Sequence, residues 1–108
     1  MLIVPGAPAA SAFRLERLRE RLVAIDARVT DLHARYVHFV DCDARLDAAE
    51  EARMHQLLGA AAGPDVHEPG LLLLVAPRPG TISPWSSKAS DIAQVCGLAS
   101  VRRIERGI

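Results

Sequence analysis

A hydroxyl-rich run, PRPGTISPWSSKASDI at residues 77–92, brings serine and threonine hydroxyls together with an arginine, a lysine and the chain's one tryptophan. Ser83 followed by Pro84 is typical of a helix N-cap with proline at the first helical position. Free backbone N–H groups at such a terminus, with Lys88 one turn further on, can bind a phosphate or a carboxylate. The other interpretation, equally open, is that the hydroxyls only cap the helix while Trp85 fills the core or meets a partner surface. The residues that we expect at an interface or near a substrate are Arg78, Thr81, Ser83, Trp85, Ser86, Ser87 and Lys88.

The remaining reactive side chains do not assemble into a site. His38 and Cys42 share one face of a predicted strand but lie about 13 Å apart along it, too far to hold one metal ion. Cys96 falls on an apolar helix stripe near the helix C-terminus, where the dipole disfavours a thiolate, so we expect it to be buried. Four carboxylates that either cap a helix or bind a cation are Asp41, Asp43, Asp47 and Glu50. The sequence therefore predicts no catalytic residue and no metal site.

The composition limits the size of the core and the class of partner. A chain of 108 residues and 11.6 kDa supports one modest core, because it keeps about 5,800 Å² of surface when folded. Thirteen basic residues balance thirteen acidic ones, and this zero formal charge removes the attraction that general nucleic-acid or membrane-surface binding needs. With two cysteines, no CxxC pair, no readable signal peptide and no long apolar run, we expect a cytoplasmic protein without a nucleic-acid or membrane partner.

Apolar periodicity predicts the elements that position these residues. Aliphatic residues at steps of three and four predict a sheet-packing helix over residues 11–28. Further helices are expected over residues 47–59 and 83–96, and strands over residues 1–4, 32–42, 71–76 and 101–108, with a turn at 63–70. Residues 71–76 are expected to form either a strand buried on both faces or a very short buried helix, and their length and the flanking Gly70 and Pro77 favour the strand. Taken from the residues alone, this alternation indicates an α/β sandwich of undetermined strand order.

Four segments of the chain closely resemble one family. PRPGTISPWSSKASDIA, with YVHFVD, PGAPAASAFRL and RIERG, is similar to the N-terminal domain of the large single-chain formylglycinamide ribonucleotide amidotransferases, also called phosphoribosylformylglycinamidine synthases. The resemblance covers essentially all 108 residues, with conservative departures at Ala76 and Ser90, where the family commonly has threonine. It implies a single PurS-like α+β domain over residues 1–108: a two-layer sandwich whose small, largely antiparallel sheet carries helices on one face. That expectation replaces the parallel arrangement indicated by the element order.

The resemblance also implies the chemistry of a longer parent enzyme. Members of the family are ATP-dependent C–N ligases that use glutamine as amido donor and convert formylglycinamide ribonucleotide to formylglycinamidine ribonucleotide in purine biosynthesis. ATP, magnesium and the glutaminase nucleophile belong to later domains, and Cys42 and Cys96 match no catalytic cysteine. We therefore expect these residues to be a piece of a much longer chain that is itself inactive and without a cofactor.

Two roles remain open for such a piece. In the first it is an assembly domain whose partners are the synthetase and glutaminase domains of the same chain, with the hydroxyl-rich run docked on the synthetase region or near the nucleotide's phosphate. In the second it is a free-standing α/β binding module that dimerises through its sheet and binds an anion at the Ser83 helix terminus. A stand-alone enzyme is the weakest interpretation, because no nucleophile, base and orienting group can be placed together.

Overall fold

A computed structural model describes residues 1–59 and 70–108. The turn predicted at residues 63–70 lies, apart from Gly70, outside the described residues. The elements in chain order are β1 (Leu2–Pro8), α1 (Ala12–Ile25), β2 (Arg35–Cys42), α2 (Ala48–Leu57), α3 (Pro84–Val95) and β3 (Val101–Gly107). In this described part of the chain, no helix is long and apolar enough to cross a membrane.

The three strands form an antiparallel sheet in the order β1-β2-β3. His38 in the central strand lies between Val4 of β1 and Arg106 of β3, and Val40 lies opposite Ile104. A three-stranded antiparallel sheet with three helices is a small α+β fold. The predicted α+β class and antiparallel sheet are therefore confirmed, and the parallel alternative is wrong.

Strand β1 has the residues expected of a sheet edge. Pro5 and Pro8 cannot donate a backbone hydrogen bond, and the register shifts between them. Gly6 lies between the two prolines, where the backbone passes close to the His38 ring. A Cβ atom at Gly6 would approach His38 Cε1 to 2.6 Å, so this position has no room for a side chain.

The buried core lies between one face of the sheet and the helices α2 and α3. Met54 of α2, Ala93 of α3 and Leu98 contribute from the helical side. The sheet contributes Val4, Val40, Val101 and Ile104. Helix α2 begins with the predicted capping box, because Asp47 accepts from the Glu50 N–H at 2.8 Å while the Glu50 side chain accepts from the Asp47 N–H.

Helix α1 forms as predicted but does not pack as predicted. Ser11 caps it by accepting a hydrogen bond from the Arg14 N–H, and no residue of the helix is buried. Phe13 and Ile25 are 69% and 82% exposed. The expectation that this helix covers the sheet is wrong, because α2 and α3 supply the helical side of the core without it.

The predicted buried strand at residues 71–76 is also wrong. This stretch has no regular structure, and its five aliphatic side chains from Leu71 to Val75 are 59% to 90% exposed. Val75 alone pairs with the sheet, through two reciprocal backbone hydrogen bonds of 2.8 Å with Ile108. Reciprocal bonds define an antiparallel pair, so residues 71–74 run on past Ile108 with no strand of the described chain beside them.

Candidate functional site

The N-terminus of helix α3 is capped by Ser83, which is also hydrogen-bonded to Glu105 of strand β3. The Ser83 hydroxyl accepts a hydrogen bond from the Ser86 N–H at 3.0 Å and donates one to Glu105 Oε1 at 2.8 Å. Burial by itself would raise the pKa of Glu105, but hydrogen bonds from the Arg106 N–H, from Ser83 and from Arg103 lower it overall. An ionised carboxylate of β3 therefore already faces the N-terminus of α3.

Side chains on one face of α3 form hydrogen bonds with backbone groups along the outer edge of strand β3. The buried Ser86 hydroxyl donates to the Ile104 carbonyl at 2.5 Å, and the Ile104 N–H donates to the Ser90 hydroxyl at 3.1 Å. Gln94 Nε2 donates to the Val101 carbonyl at 2.6 Å. Because an edge strand leaves alternate backbone groups unpaired, these side chains take the place of a fourth strand. Their spacing of four residues along one helix face was readable from the sequence.

A stack of three aromatic rings and one guanidinium lies beside the N-terminal half of α3, on the core face of the sheet. The Arg106 guanidinium lies over the rings of Tyr36 and Trp85, with its Cζ atom 4.4 Å from the first ring centroid and 4.5 Å from the second. The Trp85 ring in turn stacks on the His38 ring, with centroids 5.7 Å apart. His38 is buried, and its Nδ1 lies 3.3 Å from the Val4 carbonyl oxygen.

The pKa of His38 is set mainly by its burial. Burial lowers this pKa, the hydrogen bond to the Val4 carbonyl raises it, and the nearby charge of Arg106 lowers it further. The net direction is below the ordinary value of 6.5. The neutral ring is therefore the favoured form of His38 at pH 7, and its burial and its contact with the Val4 carbonyl are those of a hydrogen-bonded core histidine.

This stack borders a cavity that we call the Arg106 cleft. Its volume is about 540 Å³, and it opens between helix α3, the C-terminal end of α2 and the core face of the sheet. Its polar lining consists of Tyr36, His38, Trp85, Lys88 and Arg106, and its apolar lining includes Leu57, Leu58 and Ile92. Among the residues that the structure describes, none that lines the cleft is acidic.

The structure divides the seven expected site residues among four places. Trp85 and Lys88 line the Arg106 cleft. Ser83 and Ser86 are bonded to strand β3, as described above. Arg78 and Thr81 form a turn in which the Thr81 hydroxyl donates to the Arg78 carbonyl at 2.6 Å, and the Thr81 carbonyl accepts from Arg103 Nη2 at 2.7 Å. Ser87 points to solvent one position beyond the buried Ser86.

Sequence reasoning missed three residues of the cleft, namely Tyr36, His38 and Arg106, as members of a site. A signal was present, because Tyr36 and His38 alternate on one face of a strand and Arg106 occupies the same kind of position on the last strand. Only the pairing of His38 with Arg106 brings them together. The cysteines stay apart from the cleft: Cys42 is half-buried at the opposite end of β2, where burial and nearby carboxylates raise the pKa of its thiol.

Comparison with known families identifies the chain. The family model described as formylglycinamide ribonucleotide amidotransferase N-terminal matches residues 35–108. The matched range contains β2, α2, α3 and β3, and with them every polar residue of the Arg106 cleft. Because this range is more than half of the 108 residues, the chain belongs to the family of formylglycinamide ribonucleotide amidotransferase N-terminal domains.

Proposed function

We propose that this chain is the non-catalytic assembly domain of a phosphoribosylformylglycinamidine synthase. The parent enzyme transfers ammonia from glutamine to formylglycinamide ribonucleotide at the expense of ATP, in the cytoplasm, during purine biosynthesis. ATP and magnesium are bound by the other domains of the enzyme. The PurS-like domain holds the synthetase and glutaminase domains together, so that ammonia released by one is used by the other.

The observation that carries this proposal is the aliphatic run from Leu71 to Val75, which we call the leucine segment. Its side chains are exposed, and it is attached to the sheet only where Val75 pairs with Ile108. Exposed aliphatic residues scattered singly are ordinary, but five in succession are typical of a surface that another protein covers. The leucine segment also presents unpaired backbone beside the end of β3, where a strand from a neighbouring domain can pair with it.

The total surface supports the same conclusion. The chain exposes 8076 Å², whereas a compact protein of this mass exposes about 5,800 Å². The difference of roughly 2,300 Å² exceeds the roughly 800 Å² that each partner loses in a standard interface and lies within the roughly 1,000–2,500 Å² that each partner loses in permanent complexes. The radius of gyration of 16.1 Å also exceeds the value of about 13 Å for a compact chain of this length.

The hydroxyl-rich run has a divided role in this proposal. Ser83, Ser86 and Thr81 position the loop and helix α3 through bonds within the domain. Arg78 and Ser87 are exposed and are the members left to contact the synthetase region, whereas Lys88 lines the Arg106 cleft. Trp85 lies between these groups, partly buried against the core. The free-standing anion-binding module is the less supported role, because Glu105 already accepts from Ser83 at the helix terminus.

The test is the coupling of the two half-reactions in the intact synthase. Replacing Leu72 and Leu74 together by serine should weaken the packing of the leucine segment on its neighbour. We expect glutamine hydrolysis to continue while less formylglycinamidine ribonucleotide is formed per glutamine consumed. The control is Val95→Ser, an aliphatic position outside the segment that is 88% exposed, compared with 90% for Leu72 and 59% for Leu74.

Two results would reject the assembly role. One is an unchanged product-to-glutamine ratio in a folded Leu72→Ser/Leu74→Ser enzyme. The other is catalysis by the 108-residue chain alone: hydrolysis of glutamine or of ATP by this polypeptide would make it an enzyme in its own right.

A further inference from the structure

The Arg106 cleft has the charge and the shape of a small-molecule site that is separate from the leucine segment. Although the whole chain carries no net charge, the described residues that line the cleft include Lys88 and Arg106 and no acid. Within residues 1–59 and 70–108, no carboxylate is hydrogen-bonded or ion-paired to the guanidinium of Arg106. Two cationic residues at one cleft, with no acidic residue among its described lining, are typical of the electrostatic environment of an oxyanion site.

The guanidinium of Arg106 is held in place before any ligand arrives. Both Tyr36 and Trp85 contact it through their rings, at 4.4 and 4.5 Å, so its face is covered by aromatic carbon. The N–H donors of a guanidinium point outward in its own plane, and stacking leaves them available. A fixed planar donor group loses little entropy on binding and matches two oxygens of one phosphate or carboxylate.

The rest of the cleft suits an apolar ligand body. Leu57 and Ile92 form apolar walls and are both partly open to solvent, at 40% and 46% exposure. The volume of about 540 Å³ lies within the range of roughly 300–1,000 Å³ of small-molecule pockets. Apolar walls with a few converging polar groups are what such pockets share.

From this arrangement we infer that the Arg106 cleft binds a phosphate monoester with a compact apolar body. The phosphate oxygens accept hydrogen bonds from Arg106 and from Lys88, and the body packs against Leu57 and Ile92. A phosphate monoester carries close to two negative charges at pH 7, which matches the two cations better than a single carboxylate does. The domain then senses a small metabolite in addition to its assembly role.

Trp85 provides a direct measurement, since it is the only tryptophan of the chain and lies in the cleft. Its fluorescence is titrated with phenyl phosphate at constant ionic strength, and phenol and inorganic phosphate are titrated in parallel. We expect a saturable change with phenyl phosphate, none with phenol, and competition by inorganic phosphate. The absence of saturation, or an equal response to phenol, would overturn the inference.

Variants locate the bound phosphate. Arg106→Lys retains the charge but loses the planar pair of donors, and we expect its dissociation constant to rise by about tenfold or more. Lys88→Gln, at an exposed helix position, should raise it by roughly threefold or more and remains informative if Arg106→Lys is unstable. The matched controls Arg102→Lys and Arg102→Gln change an exposed arginine of the same strand that does not line the cleft, and should stay within about twofold of the original constant.

Two further outcomes would also reject the site. Equal weakening by Arg102→Gln and Lys88→Gln would mean that binding follows net charge and not the cleft. Tighter binding of a short peptide with one glutamate between leucines than of phenyl phosphate would make the cleft a protein-docking surface instead. Circular dichroism of every variant confirms that the fold is retained.

Discussion

Ser86 shows how one hydroxyl decides the position of a helix. Its side chain is fully buried and donates to the Ile104 carbonyl, and its own N–H donates to Ser83. The adjacent Ser87 has the same side chain but is exposed. In a run of serines, therefore, the structural and the solvent-facing members differ only by the helix face on which they lie.

Ser86→Ala should destabilise the domain while Ser87→Ala should not. Removing the Ser86 hydroxyl leaves the Ile104 carbonyl without its donor in a buried position, which costs about 1–3 kcal/mol of unfolding free energy. An exposed serine replaced by alanine stays within about 0.5 kcal/mol. Urea unfolding followed by circular dichroism measures both. Equal midpoints for the two variants would mean that the bond to Ile104 contributes nothing.

His38 should make the stability of the domain fall on acidification. Its pKa in the folded state lies below the 6.5 of the free side chain, so the unfolded chain binds the proton more tightly. The unfolding free energy is therefore constant well above pH 6.5, decreases as the pH falls through 6.5, and levels off below the pKa of the folded state.

Urea midpoints measured between about pH 8 and about pH 5.5 test this dependence. His38→Gln should reduce the dependence, and His55→Gln, at an exposed position of helix α2, should preserve it. If the pH dependence disappears in His55→Gln and persists in His38→Gln, it comes from His55, and the prediction for His38 is wrong.

At the scale of elements, the sequence predicted the features that depend on contacts between residues close together in the chain. The Ser11, Asp47 and Ser83 caps were placed correctly, because a cap is a contact between residues three apart in sequence. Strand β2 was predicted from its alternation and lies within the predicted residues 32–42.

The packing partners of the helices and strands were not predictable, because an apolar pattern shows which face of an element is apolar but not which element packs against it. Helix α1 has an apolar stripe and the leucine segment is apolar throughout, yet neither is buried in this chain. The Arg106 cleft shows the same limit, since its rings and cations come from three separate elements. The antiparallel sheet was expected only through the family resemblance, as element order alone favoured a parallel one.

At the scale of the whole molecule, the exposed apolar surface has one physical cause. The core is built by two helices and three strands, and the remaining apolar material, helix α1 and the leucine segment, is left outside it. Burying apolar surface stabilises by about 25 cal/mol per Å², so exposed aliphatic surface of this extent favours association. The isolated chain should therefore bind hydrophobic dyes and self-associate more readily than a compact protein of its size.

The dye test separates the leucine segment from the rest of this surface. With 1-anilinonaphthalene-8-sulfonate, we expect strong fluorescence for the original chain and a clear decrease for Leu72→Ser/Leu74→Ser, because this change removes two of the five adjoining aliphatic side chains. Val95→Ser removes a single aliphatic side chain, 88% exposed and outside the leucine segment, so its fluorescence should stay close to the original. Sedimentation velocity on the same samples should show less association for the double variant. If the double variant and Val95→Ser behave alike in both measurements, the leucine segment is ordinary surface and does not drive the association.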